Sequence, residues 1–150
     1  MKTRREILRD AATVAGLLAA AGFLPREALA WNKPAFDAKS VGDVMKAFGA
    51  GAPTESKDVT LTAPDIAENG AVVPFAIATT VPNVKAMLIL VEKNPNTLAA
   101  VFDLPAGTEP AITTRIKMGQ TSNVYALVKA DGKYYVASKE IKVTLGGCGG

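Results

Sequence analysis

After Ser56 the chain settles into a period of two, with apolar and polar residues alternating in short runs. Seven runs have strand character: "DVTLTAP", "AVVPFAIATT", "VKAMLILVE", "TLAAVFDLP", "AITTRIKM", "SNVYALVKA" and "KYYVASKEIKVTL". Between them lie "ENG", "TVPN", "EKNPN", "PAGTEP", "GQT" and "ADGK", each a cluster of turn-forming residues. Asp131–Gly132 between two runs is a hairpin signal. In the last run Ile141, Val143 and Leu145 point one way, and Glu140, Lys142 and Thr144 the other. That alternation suits antiparallel sheet with one wet face. Seven short strands and no long helix predict an all-β fold, an immunoglobulin-like antiparallel β-sandwich. The Cys…Trp…Cys core of true immunoglobulin domains is absent, so the pattern implies the architecture alone.

Two segments depart from the period. "SVGDVMKAFG" places Val41, Val44, Met45 and Phe48 at i, i+3, i+4 and i+7, the apolar face of a short helix. Ser40 and Asp43 stand in the capping-box positions, and Gly49 stops the helix. From Trp31 to Pro34 the chain reads as an extended lead-in. "VKAMLILV" (Val84–Val91) is apolar on both faces apart from Lys85. It is either a central strand with the helix covering its back or a patch covered by another chain.

The first thirty residues have a different layout. A basic opening, "TRREILRD", carries the pair Arg4–Arg5; an apolar run from Ala11 to Leu24 follows, and Ala28–Ala30 supplies small residues for cleavage. This is the plan of an export signal, and the paired arginines point to the twin-arginine route. Fourteen apolar residues fall short of the ~20 that span a membrane. Residues 1–30 are therefore read as a signal, 31–145 as the helix plus sandwich, and 146–150 as a glycine-rich arm.

Charge adds little. The chain has 17 basic and 14 acidic residues, of which the first thirty hold five and three. The remainder is nearly neutral, with no basic run to serve as a nucleic-acid footprint. The missing residue types say more. There is no histidine, which excludes His-dependent triads, His acid–base work and His-ligated metals. One cysteine excludes an internal disulfide and CxxC chemistry. "GAGAP" (Gly49–Pro53) lacks the Lys and Ser/Thr of a phosphate loop, and the acidic residues are scattered singly. No metal site and no resident cofactor is expected.

That single cysteine, Cys148, sits in "VTLGGCGG", flanked by Gly146, Gly147, Gly149 and Gly150. Glycine has the widest backbone freedom, so a flexible segment is expected. Three extended residues beyond Leu145 reach about 10 Å. Nothing nearby activates the thiol: no basic residue lies closer than Lys142. An unperturbed thiol has a pKa near ~8.5 and is mostly protonated at neutral pH. It is badly placed as a nucleophile within its own domain and well placed for presentation to another protein's active site, as in a covalent carrier. Other uses stay open. An exported structural or adhesion module would link copies by an intermolecular disulfide through Cys148. A lipidated C-a-a-X end would need the cysteine one position earlier. A diglycine-ended, ubiquitin-like sulfur carrier would lack the export signal.

"KVTLGGCGG", "PDIAENGAVVPF", "LVEKNPNTLAAVF", "TTRIKMGQTSNVYALV" and the twin-arginine leader together resemble the SoxY family, sulfur-carrier subunits of periplasmic thiosulfate oxidation. The resemblance covers nearly the whole chain. It implies that Cys148 is the covalent acceptor, that the four glycines form a swinging arm, and that the protein is not an enzyme. It also implies a tight heterodimer with a SoxZ subunit and export of the folded pair to the periplasm. The transient partners implied are the cytochrome SoxAX, which joins thiosulfate to the cysteine, the hydrolase SoxB and the sulfane dehydrogenase SoxCD. A required SoxZ would also favour partial coverage of "VKAMLILV" by a partner.

Overall fold

A computed structural model of the 150-residue chain describes residues 32–145, together with 3–5, 7, 8, 10 and 12–14. The chain divides into two compact units, Met1–Asn32 and Lys33–Gly150. In the first unit the described residues from Arg4 to Val14 are helical and exposed, Arg4 and Arg5 among them.

The second unit is organised by the strand that breaks the period. β5 (Val84–Val91) lies between β8 (Ser122–Ala130) and β6 (Leu98–Asp103), antiparallel to both. Successive side chains of a strand point to opposite faces. Met87, Ile89 and Val91 therefore enter one core, with Val124, Ala126 and Val128 of β8 and Ile141 of β9 (Lys133–Val143). Opposite them stand Val59 of β2 (Val59–Thr62), Val73, Phe75 and Ile77 of β4 (Val73–Thr79), and Ile116 of β7 (Ala111–Ile116). Those three strands form the smaller sheet, in the order β2-β4-β7.

Ala86, Leu88 and Leu90 face the other way, into a second core with Leu127, Tyr134 and Val136. Two short helices close that core: α1 (Lys33–Asp37) through Ala35, and α2 (Val41–Ala47) through Val44 and Met45. β5 is thus buried on both faces within its own chain. The expected coverage by a partner is corrected accordingly, because α1 and α2 occupy the place that a partner would take. Each fully buried leucine contributes about 1.5–3 kcal/mol relative to exposure.

The capping expected of α2 is present. The Ser40 hydroxyl accepts from the Asp43 amide at 3.1 Å, and Gly49 ends the helix at a φ of 64°. Asp131 and Gly132 both have positive φ, 48° and 74°, as a tight hairpin between β8 and β9 requires. The extended lead-in is corrected at Lys33, where α1 begins. Pro34 opens its first turn, where a missing N–H leaves no helical bond unmade. Trp31 lies outside the described residues.

The large sheet has the order β1-β9-β8-β5-β6. Its outer edge carries two strands that the period did not reveal, β1 (Thr54–Glu55) and β3 (Ile66–Ala67). Both pair with β9, and both run parallel to it, unlike every other pairing. Two residues are too few to display an alternation. The fold is the immunoglobulin-like β-sandwich expected, with nine strands among the described residues rather than seven.

Candidate functional site: the root of the C-terminal arm

Cys148 and the glycines 146, 147, 149 and 150 lie outside the described residues. What the structure places is the root from which they extend. β9 ends at Val143, and the chain bends through Thr144 and Leu145.

That root is fastened on two sides. On one side β3 runs beside it, with Ile66 opposite Lys142 and Ala67 opposite Val143. The Lys142 amide donates to the Asp65 carbonyl at 2.9 Å, and the Thr144 amide to the Ala67 carbonyl at 3.1 Å. The Thr144 hydroxyl donates to the Glu68 carbonyl at 3.2 Å. Gly70 closes the clasp: its amide donates to the Leu145 carbonyl at 2.8 Å, and its carbonyl accepts from the Met118 amide at 2.7 Å. Asn69 shapes this turn by accepting the Ala71 amide at 2.9 Å. On the other side the Thr121 hydroxyl accepts from the Val143 amide at 2.9 Å.

One ion pair supports the clasp. The Lys139 ammonium donates to the Ala63 carbonyl at 2.6 Å and meets the Asp65 carboxylate at 2.8 Å. The hydrogen bond from Lys139, then its charge, holds the Asp65 carboxyl below the ordinary aspartate value. Asp65 is well exposed, so the pair serves more to orient the 63–67 segment than to stabilise the domain.

Leu145 departs from the alternation expected of it. Ile141 is buried and Val143 half-buried, but Leu145 is 65% exposed. The strand stops at Val143, and the Thr144 bonds to Ala67 and Glu68 turn the chain out of the sheet's period. The alternation could not have revealed this clasp, because its bonds join residues some 76 positions apart. "ENG" was legible as a turn, though not as the turn that holds Leu145.

Other concavities offer less. A groove of about 430 Å³ lies along Glu55–Lys57 and Val136–Ser138. Ser138 is seven residues from Leu145, or about 20 Å along a strand, twice the distance that the Cys148 thiol reaches. Among the described residues no group of three or more His, Cys, Asp or Glu side chains has a metal-holding arrangement.

Fold and root together define an immunoglobulin-like domain that carries its one thiol beyond a tightly clasped last strand. The chain belongs to the SoxY family. The family model described as "Sulfur oxidation protein SoxY" matches residues 44–148. Among solved structures, the sulfur carrier protein SoxY from Chlorobium limicola f thiosulfatophilum is 36% identical with a TM-score of 0.64. That match covers 71% of this chain and 97% of the other. A superoxide reductase (neelaredoxin) from Ignicoccus hospitalis is 20% identical with a TM-score of 0.51, covering 57% of this chain and 79% of its own. At that identity the likeness concerns the fold alone. No curated protein sequence matches.

Proposed function

We propose that this protein, a sulfur-oxidation carrier and not itself an enzyme, holds sulfur intermediates covalently on Cys148 during thiosulfate oxidation. The observation that carries the reading is where the family match stops. It runs past the last strand, through the glycines, and ends on Cys148.

The chemistry follows from the thiol. Oxidative coupling joins the Cys148 sulfur to the sulfane sulfur of thiosulfate, forming an S–S bond and releasing one proton and two electrons. The electrons pass to a cytochrome of the SoxAX kind. The adduct, Cys148–S–S–sulfonate, is then hydrolysed by a SoxB-like enzyme: water adds at the terminal sulfur, hydrogen sulfate leaves, and Cys148 keeps a persulfide. A SoxCD-like dehydrogenase oxidises the remaining sulfane sulfur to a sulfonate, with oxygen from three waters and release of seven protons. Six electrons pass to its electron acceptor, and a second hydrolysis releases hydrogen sulfate and frees the thiol. No cofactor is assigned to the carrier. Residues 146–150 act as the swinging arm of a 31–145 domain, and residues 1–30, with Arg4–Arg5, direct export by the twin-arginine route to the periplasm. A SoxZ-like subunit forms the tight heterodimer.

The clasped root supports this division of labour. Hydrogen bonds with Asp65, Ala67, Gly70 and Thr121 hold the arm's origin to the sandwich, the fixed root that a swinging arm needs. Intact-mass measurement after exposure to thiosulfate and the partner cytochrome tests the proposal. A gain of one thiosulfate is expected, absent in Cys148→Ser; no gain in the wild type overturns it.

A further inference from the structure

Among the described residues of the Lys33–Gly150 unit, three large apolar side chains are more than half exposed: Ile66 at 57%, Val72 at 52% and Leu145 at 65%. Single exposed apolar residues are ordinary on protein surfaces. These three are not scattered. Ile66 stands opposite Lys142 in the β3–β9 pairing, three residues before Leu145. Leu145 itself is bonded to Gly70, and Val72 lies two residues beyond Gly70, its amide donating to the Asn69 carbonyl at 3.4 Å. All three therefore belong to the junction from which the arm extends. Elsewhere in the sandwich the large apolar residues are at least partly covered. An apolar rim gathered at one place marks an interaction surface.

The length of chain beyond the rim selects its occupant. Cys148 is the third residue past Leu145, so its sulfur reaches no more than about 10 Å from the root. A catalytic centre that takes the Cys148 adduct must bring the mouth of its channel against this junction. Resting on the carrier reading above, we propose that Ile66, Val72 and Leu145 form a docking collar for the enzymes that process the adduct on Cys148. Those enzymes present an apolar surface around the opening of a narrow channel. The glycines admit the arm to that channel, and the rim supplies binding that does not depend on which sulfur species the thiol carries.

The test uses the full chain purified with its tightly bound subunit, comparing wild type with the combined Ile66→Thr, Val72→Thr and Leu145→Gln variant. Tetrathionate loads the thiol: the Cys148 thiolate attacks an inner sulfur, Cys148–S–S–sulfonate forms, and thiosulfate leaves. Hydrolysis by a sulfate-releasing hydrolase is then followed at varied carrier concentration. The variant should raise KM about tenfold at unchanged kcat, as loss of uniform binding does. Its thiol should react with a small maleimide at the wild-type rate. Leu145→Gln alone, at a residue outside any strand, should give a smaller rise in the same direction.

Unchanged KM in both variants, with wild-type hydrolysis intact, overturns the collar and leaves the carrier reading standing. Loss of the tightly bound subunit from the variant also overturns it, because the rim would then belong to that subunit. A wild-type adduct that the hydrolase does not touch overturns the carrier reading and the collar together.

Discussion

The Lys139 ammonium lies 2.8 Å from the Asp65 carboxylate and 2.6 Å from the Ala63 carbonyl, tying the middle of β9 to the segment that leads into β3. The same segment holds the arm's root through the Lys142 and Thr144 amides. Asp65 therefore reports on the root. Its pKa is lowered by the Lys139 hydrogen bond and charge, so its contribution is complete above the unfolded value and lost as pH falls through the lower folded one. An Asp65 titration followed by NMR should have its midpoint below the ordinary aspartate value of about 3.9. Lys139→Met should return it to that value and speed hydrogen exchange at the Lys142 and Thr144 amides, with little change in global melting. An unshifted midpoint in the wild type would remove Asp65 from the clasp.

Leu88 decides whether the back of β5 is closed by this chain or by a partner. It is fully buried between Leu127 and the helices, with no partner present. Leu88→Ala should cost about 2–5 kcal/mol in the isolated chain, read as a lower midpoint of urea denaturation. A loss seen only when a partner subunit is bound would restore the view that the strand's outer face belongs to an interface.

α2 is seven residues long, too short to persist without its cap and its apolar face. Ser40→Ala removes the acceptor of the Asp43 amide and should cost about 1 kcal/mol, whereas Ser40→Gly should cost only a few tenths. Thermal unfolding of the two variants checks the ranking. Since α2 covers Leu88 and Leu90, fluorescent-dye binding to exposed apolar surface should rise in Ser40→Ala before the sandwich melts.

How much of this was legible in the sequence follows from how far each feature reaches along the chain. The hairpin at Asp131–Gly132, the cap at Ser40 and the stop at Gly49 are written within a few neighbouring residues, and each stands where local chemistry placed it. The seven longer strands were legible as runs of strand-forming residues bounded by turn clusters, most of them by alternation and β5 by its unbroken apolar stretch. β1 and β3 could not be read, since two residues carry no period and their partners in β9 lie 81 and 76 positions away. Leu145 was misread for a related reason: the alternation of β9 predicts a buried side chain until Thr144 finds Ala67 and Glu68. The reading of Cys148 rests on the poverty of its neighbours in the sequence, whereas the clasp on Thr144 and Leu145 exists only in the folded chain.

Arm length makes a last prediction. Leu145 is held by the Gly70 amide, so the chain length from Leu145 to Cys148 bounds the reach of the thiol from a fixed root. With Gly146 and Gly147 in place the thiol reaches about 10 Å from the root; without them it reaches about 3.5 Å. Deleting the two glycines should leave the thiol open to a small alkylating reagent and keep the melting temperature unchanged, because both lie beyond the last described bond of the sandwich. On the carrier role proposed above, coupling to thiosulfate by a SoxAX-like cytochrome should fall 100-fold or more, about the cost of a misplaced reacting group. Replacing the same two glycines by alanines restores the length but not the thinness of the cord. If the enzyme's channel admits little more than backbone, that variant should stay slow, and if length alone matters, it should recover. A deletion variant that couples thiosulfate at the wild-type rate would show that Cys148 is not delivered into a recessed site, and the arm would lose its role.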